Sequence, residues 1–205
     1  MTARGFLTAA ADAIFESCPA EQKDRETALF EARILLFHFS DITAETLPFC
    51  SKKELPEETE QKLLSALDEK RSGRPLQYIL GEWEFYGKKV FCGEGCLIPR
   101  PETEILTEYA LRHLPPNGRF LDLCTGSGCI PTAVLTERKD LFGVGADISE
   151  SAMQYAQKNR DRYSLSERLE LVLADLHTYE PKGVFSAILS NPPYIRSADM
   201  EKLSH

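Results

Sequence analysis

The chain has 205 residues, of which 42% are hydrophobic and 27% are charged, a composition ordinary for a globular protein. Its net charge of −8 argues against nucleic acid as a direct partner, because binding to phosphates requires a basic face. We find no apolar run of the roughly 18 residues that a membrane span needs, and no secretory signal at the N-terminus. The six cysteines form no CxxC pair, so we expect free thiols, no metal site and a cytoplasmic protein.

Residues 1–74 are predicted to form a small helical domain, because apolar side chains recur there at three- and four-residue spacing. Asp24 suits the N-cap of a second helix. A third helix is predicted from Pro56 to Arg71, and Gly73 would end it. The apolar stripes are those of ordinary core packing.

Residues 75–98 are aromatic and β-branched, with glycines between, and this pattern predicts a β-hairpin that links two domains. The segments 78–81 and 83–91 are expected to form this hairpin or separate short strands. From residue 99 helices and strands alternate, with Ser149 as one helix cap, and the alternation predicts an α/β fold with a parallel sheet covered on both faces. The expected strands are 120–123, 141–146, 169–173 and 184–189.

A glycine loop follows the first of these strands, and Gly126 and Gly128 would let its backbone approach a ligand closely. Asp147, at the end of the next strand, could accept the hydroxyls of a ribose. A dinucleotide fold would place a third glycine where Ile130 and Pro131 stand, and the Asp122 carboxylate suits a cationic amino-acid group better than a pyrophosphate. The loop therefore favours S-adenosylmethionine over a nicotinamide cofactor. A simple packing turn is the alternative.

The tetrapeptide Asn191-Pro192-Pro193-Tyr194 follows an apolar strand, and its prolines cannot continue a central strand. The Asn191 side chain and the Pro192 carbonyl could each accept one N–H of a planar amide or amino group. Two such bonds would aim the weakly nucleophilic nitrogen at a methyl donor without prior deprotonation. The alternative is a turn that ends the strand.

Four segments, in this order, resemble the bacterial release factor glutamine methyltransferases. They are QYILGEWEFYG at 77–87, LIPRPETE at 97–104, DLCTGSGCI at 122–130 and NPPY at 191–194. The resemblance implies a helical domain at 1–74 that engages the release factor, the hairpin linker at 75–98, and a Rossmann-like S-adenosylmethionine-dependent methyltransferase domain at 99–205. The substrate would be the glutamine of the GGQ loop in a peptide chain release factor, and the enzyme would be a monomer.

The resemblance also assigns site residues. Cofactor contacts are expected from Cys124, Thr125, Gly126, Ser127, Gly128, Asp147, Asp175, Leu176 and Asn191. The glutamine pocket is expected from Asn191, Pro192, Pro193 and Tyr194, with Asn191, Pro192 and Tyr194 acting in catalysis.

The sequence departs from the family pattern at Cys124, where glycine is frequent. It ends eleven residues after Tyr194, and it accommodates four of the seven strands that the family implies, so we expect the methyltransferase domain to be incomplete at its C-terminus. Thr103 is predicted to cap a helix rather than to act in the site. N6-adenine or other nucleic-acid amino methylation, a non-catalytic binding module and a nicotinamide oxidoreductase are the alternative functions.

Overall fold

The computed structural model describes residues 1–193, so the predicted site residue Tyr194 lies outside the described part. The chain divides into two compact units, Met1–Leu80 and Gly81–His205. In the described range, no helix has both the length and the apolar character needed to cross a membrane. All six cysteines carry free thiols.

The first unit is helical, as predicted. Its core consists of large apolar side chains that are fully buried, among them Phe6, Leu35 and Leu63. The prediction for Asp24 is confirmed, since its carboxylate accepts the backbone N–H groups of Glu26 and Thr27 at the start of the second helix. The helices are α1 (Ala3–Ser17), α2 (Arg25–Phe39), α3 (Leu47–Cys50), α4 (Glu57–Arg71) and α5 (Leu76–Leu80), with a short 3₁₀ turn at Ala20–Gln22.

The prediction of a strand at 78–81 is wrong, because Tyr78 and Ile79 both donate their backbone N–H groups to the Pro75 carbonyl and so form the helical turn of α5. The hairpin begins only after Gly81, which has a φ of 71°. The boundary between the two units therefore falls after Leu80, and the segment predicted as a single linker contributes helix to one unit and a hairpin to the other.

The second unit opens with the antiparallel strands β1 (Glu82–Phe85) and β2 (Lys88–Phe91). Tyr86 and Gly87 form the two-residue turn with positive φ values of 50° and 67°, as a type I′ turn requires. The Glu104 side chain accepts the backbone N–H of Tyr86. The hairpin is thereby fixed to the helix that follows it.

The remaining elements form the predicted α/β fold. In chain order they are α6 (Thr103–His113), β3 (Arg119–Leu123), α7 (Cys129–Glu137), β4 (Phe142–Asp147), α8 (Glu150–Arg162), β5 (Leu169–Leu173) and β6 (Ala187–Ser190). The four strands β3 to β6 are parallel and lie in the order β5-β4-β3-β6. The sheet grows away from β3 in both directions, so a switch point lies at the carboxyl ends of its central strands, where α/β sheets bind ligands.

Candidate active site

The loop between β3 and α7 has an unusual backbone. Cys124, Gly126 and Gly128 all have positive φ values, of 58°, 57° and 70°. A residue with a side chain is disfavoured in the left-handed conformation that Cys124 adopts, whereas glycine adopts it readily. The loop is closed by two backbone hydrogen bonds, from Thr125 N–H to the Ala146 carbonyl and from Gly128 N–H to the Thr125 carbonyl.

Asp147, at the end of β4, holds the glycine loop to the start of α8. One carboxylate oxygen accepts the Gly126 N–H at 2.8 Å, and the other accepts the Ser149 N–H at 2.9 Å. Ser149 in turn caps α8 by accepting the Ala152 N–H, which confirms its predicted role. A carboxylate has about four lone-pair sites, so Asp147 retains acceptor capacity for the hydroxyl groups of a ribose.

Asp122 does not have the position that we predicted for it. It is completely buried, and among the described residues it lines neither of the two cavities at the loop. Its carboxyl accepts the Thr125 hydroxyl at 2.6 Å. Burial raises the pKa of Asp122 to about 7, against the lowering effect of the Thr125 bond, and the Asp147 charge raises it further. Asp122 therefore holds the loop through its bond to Thr125 and does not face a cationic ligand group.

A cavity of about 400 Å³ opens beyond the carboxyl ends of the strands. Its walls are mostly apolar, with the carboxylates of Asp147 and Asp175 among the polar groups, and small-molecule and cofactor sites have this kind of lining. Of the predicted cofactor residues, Cys124, Asp147, Asp175 and Leu176 line this cavity, together with Pro192 and Pro193 from the tetrapeptide.

A second, smaller cavity shares Cys124 with the larger one. Asn191 and residues 124–127 of the glycine loop face it together. The rest of its lining comes from residues 97–100, Thr103, and Cys129 and Ile130 at the start of α7. The Asn191 side chain donates from Nδ2 to the Thr103 hydroxyl at 2.9 Å. Because the nitrogen makes this bond, the amide oxygen of Asn191 can still accept a hydrogen bond from a ligand.

The capping prediction for Thr103 is wrong. Glu102 occupies the N-cap position of α6, and in the described chain its side chain makes no capping hydrogen bond. Thr103 is instead the first helical residue, is 8% exposed, and has its hydroxyl bound to Asn191. These two residues lie 88 positions apart. No local sequence pattern connects them, although Thr103 belongs to the LIPRPETE segment that carries the family resemblance.

The structure brings the glycine loop, Asp147, Asp175, Leu176 and Asn191 to one edge of the sheet, while Tyr194 lies outside the described residues. The individual roles of these residues stay predictions. The parallel sheet, the left-handed loop after its central strand, and the acid at the end of the adjacent strand define a Rossmann-like S-adenosylmethionine-dependent methyltransferase fold.

Comparison with known proteins agrees with this class. Residues 100–204 match the family model "Methyltransferase small domain", and residues 20–81 match "PrmC N-terminal domain". A release factor glutamine methyltransferase from Neisseria gonorrhoeae is 40% identical over 171 residues, with 82% of this chain and 62% of that protein covered. One from Thermodesulfovibrio yellowstonii is 36% identical over 177 residues, with 84% and 63% covered.

The chain belongs to the family of the release factor glutamine methyltransferases. This confirms the resemblance and the fold class predicted from the sequence. The chain spans about 62% and 63% of the length of these two curated relatives.

Proposed function

We propose that this protein transfers a methyl group from S-adenosylmethionine to the side-chain amide nitrogen of a glutamine, and that the glutamine lies in the GGQ loop of a peptide chain release factor. The observation that carries this proposal is the cavity shared by Asn191 and the glycine loop. The names of the relatives in several bacteria support the choice of substrate.

The larger cavity fits the cofactor. Asp147 would accept hydroxyl groups of the ribose, and Asp175 and Leu176 would lie near the adenine. Gly126 lines the smaller cavity and has no side chain that would narrow it. Gly128 lines neither cavity among the described residues, and its missing side chain lets the loop pack against Ala156. When bound, S-adenosylmethionine supplies an electrophilic methyl group on a positively charged sulfur.

Asn191 would orient the substrate. Its amide oxygen and the Pro192 carbonyl would each accept one N–H of the glutamine amide, which points the nitrogen towards the methyl group. The cofactor, held at Asp147, Asp175 and Leu176, would supply its methyl group to this nitrogen and leave as a neutral thioether. The nitrogen would then lose its extra proton to water. Acceptors placed in this way stabilise the positive charge that develops on nitrogen.

Thr103 would act as a positioning residue in this scheme. By accepting from Asn191 Nδ2 it fixes which end of the asparagine amide faces the substrate. An asparagine side chain free to rotate would present its donor nitrogen part of the time, and a donor cannot accept an N–H bond.

The helical unit would engage the release factor, as the resemblance implies. We further propose that the enzyme acts as a monomer in the cytoplasm and does not bind nucleic acid directly. The net charge of −8 supports the choice of a protein over a nucleic acid as substrate.

The proposal is tested with protein expressed from its complete reading frame and with labelled S-adenosylmethionine. We expect label in purified release factor, and none in a release factor whose GGQ glutamine is replaced by alanine. Label in DNA or RNA alone would support the adenine alternative. Cofactor binding without transfer to any substrate would support a non-catalytic module. Binding of a reduced nicotinamide cofactor would support an oxidoreductase.

A further inference from the structure

Helix α8 packs directly against the glycine loop. A Cβ atom on Gly128 would lie 3.2 Å from Ala156 Cβ and 3.3 Å from Ala156 Cα, so the loop and the helix are in close contact. One turn further along the same helix face, Asn159 is completely buried. Its Nδ2 donates to the Ser127 carbonyl at 2.9 Å. The loop backbone is therefore held from α8 by a side-chain amide.

The same amide binds the end of the hairpin. Phe91 N–H donates to Asn159 Oδ1 at 2.6 Å, and Asn159 Nδ2 donates to the Phe91 carbonyl at 3.0 Å. Both hydrogens of the amide nitrogen are thus used, one on each segment. Phe91 and Ser127 lie 68 and 32 positions from Asn159 in the sequence, so this one side chain joins three distant parts of the unit.

The segment after Phe91 continues along α8. The hydroxyl groups of Ser149 and Ser151 both donate to the Gly95 carbonyl, at 3.2 and 3.1 Å. A Cβ on Gly93 would lie only 2.2 Å from the Tyr155 hydroxyl. This segment leads to the residues at 97–100 that line the smaller cavity. The hairpin end, the cofactor loop and the segment that leads to the smaller cavity are therefore all bonded to α8 or its N-cap.

The loop needs such a support. Three of its five residues from Cys124 to Gly128 have left-handed backbone, and one of these is a cysteine, for which that conformation is unfavourable. Ser127 is 1% exposed, so without Asn159 its carbonyl would be a buried acceptor that has lost its partner. Relaxation of the loop would then move the backbone that surrounds the cofactor.

We propose that Asn159 is a positioning residue for the cofactor loop, and that through it the hairpin end forms part of the structural support of the cofactor site. The inference rests on the proposed function only in taking this loop as the cofactor loop. Within residues 1–193 the side-chain hydrogen bonds of Asn159 go to Phe91 and Ser127, so its effect is on the geometry of Ser127 and its neighbours.

The test uses Asn159→Ala in the protein from its complete reading frame, with S-adenosylhomocysteine as the probe in calorimetry. We expect the Kd to rise about 10-fold or more, which corresponds to the loss of about one to two hydrogen bonds. The rate at saturating cofactor should stay within about 2-fold, because Asn191 and Thr103 are untouched. Should Asn159→Ala fail to fold, Asn159→Ser takes its place, since a serine side chain is too short to bridge the two segments.

Two control variants separate positioning from loss of stability. Tyr163→Phe removes the bond from the Tyr163 hydroxyl to the Lys89 carbonyl, which also joins α8 to the hairpin but does not involve the loop. Leu165→Ala opens a cavity in the core at a residue that is 1% exposed. Both should lower the melting temperature and keep the Kd within about 2-fold of wild type. A wild-type Kd in the Asn159 variant, or an equal rise in the controls, overturns the proposal.

Hydrogen exchange provides a readout that needs no ligand. We expect the amide protons of 124–128 to exchange faster in Asn159→Ala and to keep wild-type rates in Tyr163→Phe. If the wild-type protein does not bind S-adenosylhomocysteine, the proposed function fails, and the exchange experiment still decides the role of Asn159. Unchanged exchange in the Asn159 variant contradicts it.

Discussion

Replacing Thr103 with valine tests the orientation of Asn191 directly. The substitution removes the acceptor of the 2.9 Å hydrogen bond from Asn191 Nδ2 and keeps a side chain of nearly the same shape. A neutral hydrogen bond contributes about 0.5–1.5 kcal/mol net. If all of that energy holds the amide in its productive orientation, the rate of transfer should fall by roughly 2- to 12-fold.

The assay is steady-state methyl transfer to purified release factor, with kcat and KM determined separately. We expect Thr103→Val to lower kcat and to leave the Kd for S-adenosylhomocysteine unchanged, because Thr103 does not line the larger cavity in the described chain. Thr103→Ser keeps the hydroxyl and should restore most of the rate. A wild-type kcat in the valine variant, or an equal loss in the serine variant, would contradict the positioning role of Thr103.

Three further predictions concern the same site. Asn191→Ala should reduce transfer by at least about 100-fold while the melting temperature stays near that of wild type, since it removes a substrate acceptor; equal activity would contradict its assigned role. Asp147→Ala should weaken S-adenosylhomocysteine binding by about 10-fold or more, because the loop loses the acceptor for Gly126 N–H along with the proposed ribose contact; an unchanged Kd in calorimetry would show that the ribose is held elsewhere. The stability of Asp122→Asn relative to wild type should rise between about pH 4 and pH 7 in urea unfolding. Burial raises the pKa of Asp122 from its ordinary 3.8 to about 7. The stability that protonated Asp122 contributes to the wild-type protein is therefore complete below pH 3.8 and is lost as the pH rises through 7. A stability difference between the two proteins that does not change with pH would contradict this.

Much of the sheet could be predicted from the sequence, because strands buried between helices are short, apolar and bounded by turn residues. Strand β5 has the predicted bounds, and the Asp24 and Ser149 caps are confirmed. The error at Tyr78 has a physical reason. Its neighbourhood is aromatic and β-branched, but Pro75 starts a helical turn whose hydrogen bonds outweigh that propensity.

The site residues that directly follow a strand in the sequence could be predicted. The glycine loop, Asp147 and Asn191 each come at the end of a strand, and parallel strands end at one edge of the sheet. Thr103 could not be predicted, because its bond to Asn191 depends on how α6 packs beside β6. The sequence contains one indication of the role of Asn159. It is a polar residue at the helical spacing of Ala152 and Ala156, which form the buried face of α8.

Mass spectrometry of the release factor tests our proposal that this site methylates a glutamine amide in that protein. The release factor is incubated with S-adenosylmethionine and protein from the complete reading frame, and then digested. We expect the peptide that contains the GGQ loop to gain the mass of one methyl-for-hydrogen exchange on its glutamine. A methyl group found on another residue, or on nucleic acid with the glutamine unchanged, would contradict it.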